Sequence, residues 1–446
     1  MKIAFVVQRY GTEILGGSEY HCRLIAERMA ARHQVEVLTT CARDYVTWKN
    51  EYPEGPDRVR GVTVRRFATA ETRDIDAFNR YSDWIFNYPH SVDDEMEWLR
   101  RQGPWSPALQ DYLERNHHAF DILIFFTYLY APTVLGLRVA PGKSILVPTA
   151  HDEPAIRLGI YRDVFSRPAG LAYNTDVERR FLLTEFAVRP VAQETIGCGV
   201  DLLPEQEQEL ESRERGERAR RARGARPDRV PEGDQPDADG ERAVEPEEAR
   251  ENTARFRVGP RGSVFRRRHR LFGPFVLYGG RIDPGKGCEE LIEYFSAYVA
   301  AGGEASLVLM GAKLMPLPEE PWVRFAGLLS EHERLHALEA ATVVVVPSPF
   351  ESLSLLALEA LAIGTPILAN ARSEVVVEHC RASNAGLYYG GRDEFVEALK
   401  VLVVDGRLRR LMGANGRHYV RRHYRWDAIL SKYDRLMAAI RGIGVP

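Results

Sequence analysis

Four consecutive valines, Val343 to Val346, run into Pro347-Ser348-Pro349-Phe350-Glu351 and then into a stretch, residues 352–363, that is apolar almost all round and closes on Gly364-Thr365-Pro366. A short β-branched run halted by proline reads as a buried strand of a parallel sheet. The spacing predicts a helix beginning near Pro349, because proline suits the first helical position and Ser348 with Glu351 has capping-box spacing. Leu353, Leu355, Leu356, Leu358, Leu361 and Ile363 leave that helix no polar face, so it is expected in the interior. A buried strand feeding a buried helix restricts the chain to an α/β architecture.

Two carboxylates interrupt this apolar stretch, Glu351 and Glu359. A buried carboxylate needs hydrogen bonds or opposite charge to offset its desolvation, and the neighbouring sequence holds no cation. A hydroxyl-rich ligand would serve, and the open amides of Ser352, Leu353, Ser354 and Leu355 at the helix start would suit an anionic group. Eight residues of helix span about 12 Å, comparable to the reach from a sugar to a ribose across a diphosphate. The plainer alternative is that Glu351 only completes the cap and Glu359 reaches solvent at a domain edge.

At 446 residues the chain is too long for one core and implies two domains. A net charge of −3 excludes a global preference for polyanions, so partners must be read from sites. Five scattered cysteines without C-x-x-C spacing suggest reduced thiols and a cytoplasmic setting, and no metal-ligand cluster is visible, so neither a metal nor a cofactor is expected. The apolar start, residues 3–7, is too short for a signal peptide and reads as a first strand. Residues 122–139 contain Tyr128, Tyr130, Pro132 and Arg138 and fit a strand and helix better than a membrane span, with peripheral membrane contact left open.

Along the chain, a strand at 3–7, a loop ending in Gly16-Gly17, a helix at 18–31 and a strand at 35–38 make the building block of a doubly wound sheet. The G-x-G-x-x-G fingerprint is absent, which argues against a nicotinamide or flavin enzyme. Further strands are expected at 62–67, 121–126, 144–147, 171–174 and 195–196, with one long aromatic-rich helical region at 78–115 whose rings serve mostly in packing. His151 follows a strand at its carboxyl end, where open α/β sheets bind ligands. Residues 204–255 change abruptly to Glu, Arg, Asp, Pro, Gly and Ala without one aromatic, and are expected to be a disordered, solvated insertion with a transient helix at 205–223. Its arginines, Arg218 to Arg229, could meet nucleic acid or acidic lipid, but interspersed acids favour a linker.

A second α/β unit opens with a strand at 274–279 followed by Gly280-Arg281-Ile282-Asp283-Pro284-Gly285-Lys286-Gly287. This nearly matches the G-x4-G-K-[ST] phosphate loop, but Gly287 stands where the magnesium-binding hydroxyl belongs, so a nucleoside triphosphatase is rejected. Helices at 288–300, 330–340, 374–380, 392–404, 407–422 and 426–440 alternate with strands at 306–310, 323–325, 343–346, 366–369 and 386–388.

Glu351 and Glu359, with the Pro-Ser before them and Glu359-Ala360, Ala362, Gly364 and Pro366 after, resemble the E-x7-E signature of glycosyltransferase family 4. The Gly-Gly loop and Gly197-Cys198-Gly199-Val200-Asp201 resemble the same family, and together the resemblance spans residues 1–201 and about 265–440. It implies the GT-B fold: two doubly wound Rossmann-like domains facing across a cleft, with a crossover helix at the C-terminus. The expected divisions are 1–201 on the acceptor side, a 202–264 linker, 265–425 holding the donor, and 426–446 crossing back. The resemblance further implies a retaining, metal-independent transfer of a hexose from a nucleotide diphosphate sugar to an unidentified hydroxyl acceptor. It assigns His151, Arg281, Lys286 and Glu351 to the reacting centre. Donor contacts fall to Gly16, Gly17, Gly280, Arg281, Lys286, Gly327, Leu328, Glu351, Ser352, Leu353, Ser354, Leu355 and Glu359. A sugar-nucleotide epimerase, a phosphorylase or a non-catalytic nucleotide-sugar-binding protein would share this architecture; base, sugar, acceptor and oligomeric state are not encoded legibly.

Overall fold

The computed structural model describes residues 1–14, 16–201 and 260–442. The charged stretch 204–255, with the transient helix and arginine cluster expected in it, lies outside the described residues. Two sheets divide the rest. The first has eight strands in the order β3-β4-β2-β1-β5-β6-β7-β8. They are β1 (Lys2–Val6), β2 (Gln34–Thr40), β3 (Gly55–Val59), β4 (Val62–Phe67), β5 (Ile122–Phe126), β6 (Ser144–Val147), β7 (Gly170–Tyr173) and β8 (Ala192–Thr195). The second has six in the order β11-β10-β9-β12-β13-β14. These are β9 (Phe275–Gly279), β10 (Ser306–Met310), β11 (Val323–Gly327), β12 (Val343–Val346), β13 (Ile367–Asn370) and β14 (Gly386–Tyr389).

All pairings are parallel except β3 with β4. Parallel strands buried on both faces must be apolar throughout, and β5, β6 and β12 are buried at every position. Strand order reverses between β1 and β5 in the first sheet and between β9 and β12 in the second. Ligands in open α/β sheets bind just beyond the carboxyl ends of strands at such reversals. This is the doubly wound, two-domain arrangement of the GT-B fold.

The structure differs from the sequence expectation at four places. The aromatic region is three helices, Ile75–Asn87, Val92–Gln102 and Pro107–Asn116, not one. Pro89 ends the first, Ser91 and Asp94 form a capping box that starts the second, and Pro107 stands at the start of the third. Trp98 is buried with its indole donating to Ser82, whereas Trp84 and Tyr88 are exposed. The edge strand β3 escapes periodicity because Pro56, Asp57 and Arg58 are all exposed and show no apolar alternation; its hairpin turns on Arg60 and Gly61, both at positive φ.

The third difference is a helix at Pro260–His269, which starts inside the expected 202–264 linker. It belongs to the second domain: Phe265 is buried, Arg266 donates to the Ala340 carbonyl and the Gly262 amide to Glu339. The fourth is the start of the helix after β12, at Leu355 rather than near Pro349.

The last helix, Trp426–Ile440, packs on β7 and β8 of the first sheet, with Lys432 Nζ donating to the Thr195 carbonyl at 2.9 Å. Trp426 lies over Gly199, and its indole donates to Asp201 at 2.7 Å. All five cysteines are buried and unpaired. No helix among the described residues is long and apolar enough to cross a membrane.

A Cβ on Gly199 would lie 2.3 Å from the Trp426 ring, so the indole would have to move. Gly199→Ala is therefore expected to cost about 1–3 kcal/mol by overpacking. A thermal melt checks this, with a fall of a few degrees in the unfolding midpoint.

Candidate functional site: a cleft between the two sheets

The second-domain wall begins where β9 ends. Gly280 takes φ +146, and Asp283 accepts from the Lys286 amide at 2.9 Å, curling residues 284–286 into a short 3-10 turn. The turn projects two cations. Arg281 lies 3.4 Å from Asp283 and packs over the ring of Tyr45 from the first domain. Lys286 Nζ donates to Glu351 Oε1 at 2.8 Å and approaches Ser348 Oγ at 3.5 Å. Gly287 has φ +74, and a Cβ there would sit 2.5 Å from the Pro347 carbonyl oxygen. A serine or threonine of the phosphate-loop type cannot occupy that position without moving backbone.

The helix after β12 starts at Leu355, not near Pro349, and Ser354 precedes it at φ +61. The expected capping box is absent: Ser348 Oγ donates to the Phe350 carbonyl, and Glu351 is taken by Lys286. Three bonds hold residues 348–354 off the helix. Buried His379 donates from Nε2 to the Leu353 carbonyl at 2.8 Å, while its Nδ1 faces the Tyr419 hydroxyl at 3.0 Å. Thr175 and Asn174 of the first domain donate to the Ser352 carbonyl and hydroxyl, each at 3.3 Å. With no side-chain cap at Ser354, the first amides of the Leu355–Ile363 helix are open toward the cleft.

Glu351 therefore lies in a loop, and no length of continuous helix measures its distance from Glu359. Glu359 is on the helix, 7 % exposed. Its cation comes from far along the chain: Arg334 donates to it at 2.7 Å and to the Tyr20 hydroxyl of the first domain at 2.6 Å. Burial raises the Glu359 carboxyl above its usual range, and Arg334 opposes that shift.

The first-domain wall rises from β1, β5, β6 and β7. Gly16 caps the helix Gly17–Met29, and a Cβ there would fall 2.0 Å from a Glu19 carboxylate oxygen. Glycine is needed because Glu19 folds back beneath it to pair with Arg9 at 2.6 Å. Burial would raise the Glu19 carboxyl, but the Arg9 guanidinium holds it below the ordinary value. Thr127 and Thr149, just past β5 and β6, have φ of +60 and +50. With Ser354 they make three left-handed non-glycine residues lining one cleft, the kind of local strain that surrounding structure must enforce. Glu178 supplies part of that enforcement, accepting from the amides of Ala150 and Asn174 at 2.5 Å each. His151 stacks on Phe350 of the second domain, ring centres 5.4 Å apart, with Nδ1 3.7 Å from Glu153.

One continuous cleft thus gathers Gly16, Gly17, His151, Gly280, Arg281, Lys286, Leu328, Glu351, Ser352, Leu353, Ser354, Leu355 and Glu359. Gly327 is outside it; its carbonyl accepts from the Gly311 amide and its φ is +80, so it shapes the turn that presents Leu328. None of the aromatics of residues 78–115 lines the cleft. Sequence reasoning missed Arg9, Tyr20, Tyr45, Asn174 and Arg334. Of these, Arg9 and Asn174, past the carboxyl ends of β1 and β7, carried a positional signal.

Residues 265–419 match the model of the family described as glycosyl transferases group 1. The chain is 30% identical over 203 residues to the GDP-mannose-dependent alpha-(1-6)-phosphatidylinositol monomannoside mannosyltransferase of Mycobacterium tuberculosis, covering 41% of this chain and 52% of that one. It is 30% identical over 214 residues to the D-inositol 3-phosphate glycosyltransferase of Acidothermus cellulolyticus, covering 42% and 47%. The match thus spans about half the length of these curated relatives. Anabaena HepE, solved with UDP and glucose, shares the fold with a TM-score of 0.61 at 14% identity, over 98% of this chain and 100% of that one.

Burial lowers the His379 pKa to about 4, against about 6.5 in an unfolded chain. Between those values the unfolded state binds more protons, so this contribution to stability is present above about pH 6.5 and is lost as pH falls toward 4. His379→Gln is expected to destabilise the fold near neutrality and to lose less further stability than the parent on acidification, as denaturant midpoints across that window will register.

Proposed function

With a glycosyl transferases group 1 domain at residues 265–419 inside a GT-B fold, we propose that this protein transfers a hexose-type sugar from a nucleotide diphosphate sugar to an acceptor hydroxyl, retaining the anomeric configuration. The observation that carries the reading is the convergence of Arg281, Lys286 and the uncapped amides after Ser354 on one cleft wall. Each favours negative charge, and together they match the diphosphate that must depart.

In this reading the bond from the sugar's anomeric carbon to the diphosphate oxygen breaks with its electron pair going to the diphosphate. Lys286 exchanges Glu351 for a phosphate oxygen, and Arg281 takes the other side, so charge is neutralised as it develops. Stabilisation that grows along the reaction lowers the barrier, whereas uniform binding would not. The acceptor oxygen bonds to the same face of the anomeric carbon, and its proton passes to the departing phosphate oxygen, so no side chain is required as nucleophile. Glu351, released by Lys286, accepts from sugar hydroxyls; His151 faces the reacting sugar; Glu359, steadied by Arg334, accepts from the ribose. The two fixed cations do the electrostatic work assigned elsewhere to a divalent metal, so turnover is expected to be metal-independent.

Lys286→Met is expected to reduce kcat by about 10²–10³ with UDP-glucose or GDP-mannose, whichever is the better donor. Product analysis by NMR in EDTA should show the donor's anomeric configuration retained. An inverted product, or full activity in Lys286→Met, would overturn the mechanism. Glu359→Ala should remove most of the thermal stabilisation given by the preferred nucleotide sugar, and an unchanged shift would take Glu359 out of the ribose site.

A further inference from the structure

Outside the cleft, the first domain holds a second hollow of about 260 Å³, where the start of the helix Ile75–Asn87, the end of the helix Val92–Gln102 and residues 103–105 meet. That volume lies just below the roughly 300–1,000 Å³ of drug-sized sites and suits one small ring. Its aromatic side consists of Trp48 and Phe78, both buried, and Trp105, which is only half-buried. Phe78 and Trp105 belong to the aromatic-rich stretch that the cleft leaves unused. On its inner side Trp48 packs edge-on against Tyr45 and Tyr130, ring centres 5.5 and 5.6 Å away, and both tyrosines line the cleft. One layer of side chains therefore separates the two cavities.

The charges around the hollow balance. Glu71, Asp74 and Glu97 face Arg73, Arg100 and Arg101. Arg73, 6% exposed, spends its guanidinium on the carbonyls of Tyr45, Val46 and Gln102 and on the Gln102 side chain. Arg100 pairs with Glu71 and Glu97, and Arg101 with Glu97 at 2.8 Å. An ion of either sign meets as much repulsion as attraction here. Three polar groups are left over among the described residues: the Trp105 indole N–H, the Thr72 hydroxyl and the Asp74 oxygen that does not cap Ala77. Thr72 and Asp74 are exposed and Trp105 is half-buried, so a ligand can reach all three. They supply one donor, one acceptor and one hydroxyl that does either.

We propose that this hollow is a second saccharide site, distinct from the cleft, which takes an uncharged sugar ring against Trp105. A pyranose has the two surfaces the hollow complements: C–H bonds that pack on an aromatic face, and hydroxyls that both donate and accept. Its hydroxyls accept from the Trp105 indole and donate to Asp74, with Thr72 bridging at the mouth. The ring is either a free monosaccharide or one unit of a longer glycan.

The test is saturation-transfer NMR with calorimetric titration of the full chain, using methyl glucoside, methyl mannoside, maltotriose and glucose 6-phosphate. At least one methyl glycoside is expected to bind with a Kd of about 1 mM and to receive saturation at its ring C–H protons. Trp105→Ala should weaken that binding about three- to tenfold, as loss of an aromatic contact requires. Thr72→Arg, an exposed change that fills the mouth of the hollow, should act in the same direction and carries the test if Trp105→Ala does not fold. Tighter binding of maltotriose than of methyl glucoside would assign the site to a unit of a glycan chain, and equal binding to a single ring; either result supports the proposal. Absence of binding by all the neutral sugars, binding that both variants leave unchanged, or preference for glucose 6-phosphate over methyl glucoside would overturn it. No turnover is measured, so the transferase reading stands or falls separately.

Discussion

The bond from His379 to the Leu353 carbonyl is the constraint on which the cleft depends. It keeps residues 348–354 from winding into the first turn of the following helix. Two consequences follow from that one restraint. The amides at the start of the Leu355–Ile363 helix remain without side-chain partners, and Glu351 swings to Lys286 instead of capping the backbone. A helix beginning near Pro349 would have spent the same groups on itself. The donor on the other side of the bond is buried and neutral, held in one tautomer by Tyr419, so a small network far from solvent sets the chemistry of the wall.

The cations of the cleft share a common arrangement. Arg9, Lys286 and Arg334 each hold a carboxylate within 2.8 Å, and two of these carboxylates, Glu19 and Glu359, are buried. A buried pair tolerates little loss of either partner, because the remaining charge is left uncompensated. Lys286 with Glu351 is the more exposed of the three and joins two loops rather than two rigid elements. That pair can open at lower cost, and its opening would free both a cation and a carboxylate on the cleft wall. Arg334 is different in kind, since it touches Glu359 and Tyr20 at once and so ties the second-domain wall of the cleft to the first domain. Further ion pairs of Glu331 with Arg23 and Arg60 run along the same seam.

Much of the fold was legible because parallel strands buried on both faces must be written as apolar runs. Val343–Val346 and Ser144–Val147 could be bounded to the residue, and the helix Cys288–Ala300 likewise. β3 was not legible, since an exposed edge strand containing Pro56 has neither alternation nor an apolar run. The helix start at Leu355 was misread because local rules favour a cap at Ser348, and contacts from distant residues, His379 with Thr175 and Asn174, override them. At the site, Gly16, His151, Arg281, Lys286 and the two glutamates could be named because they sit at strand ends or in a recognisable spacing. Arg334 and Tyr20 could not: each lies on a helix whose pattern gives no sign of a ligand, and their meaning comes from a contact across 314 residues.

In the mechanism proposed above, fixed positive groups of one cleft wall recognise a diphosphate. Calorimetric titration of the full chain with UDP and GDP against UMP and GMP, without divalent cations, tests it most directly. For the preferred base the diphosphate is expected to bind at least about tenfold more tightly than the monophosphate, the second phosphate gaining charge-assisted hydrogen bonds worth roughly 1.5–3 kcal/mol. Equal affinity for the two, or diphosphate binding that appears only on addition of a divalent metal, would contradict it.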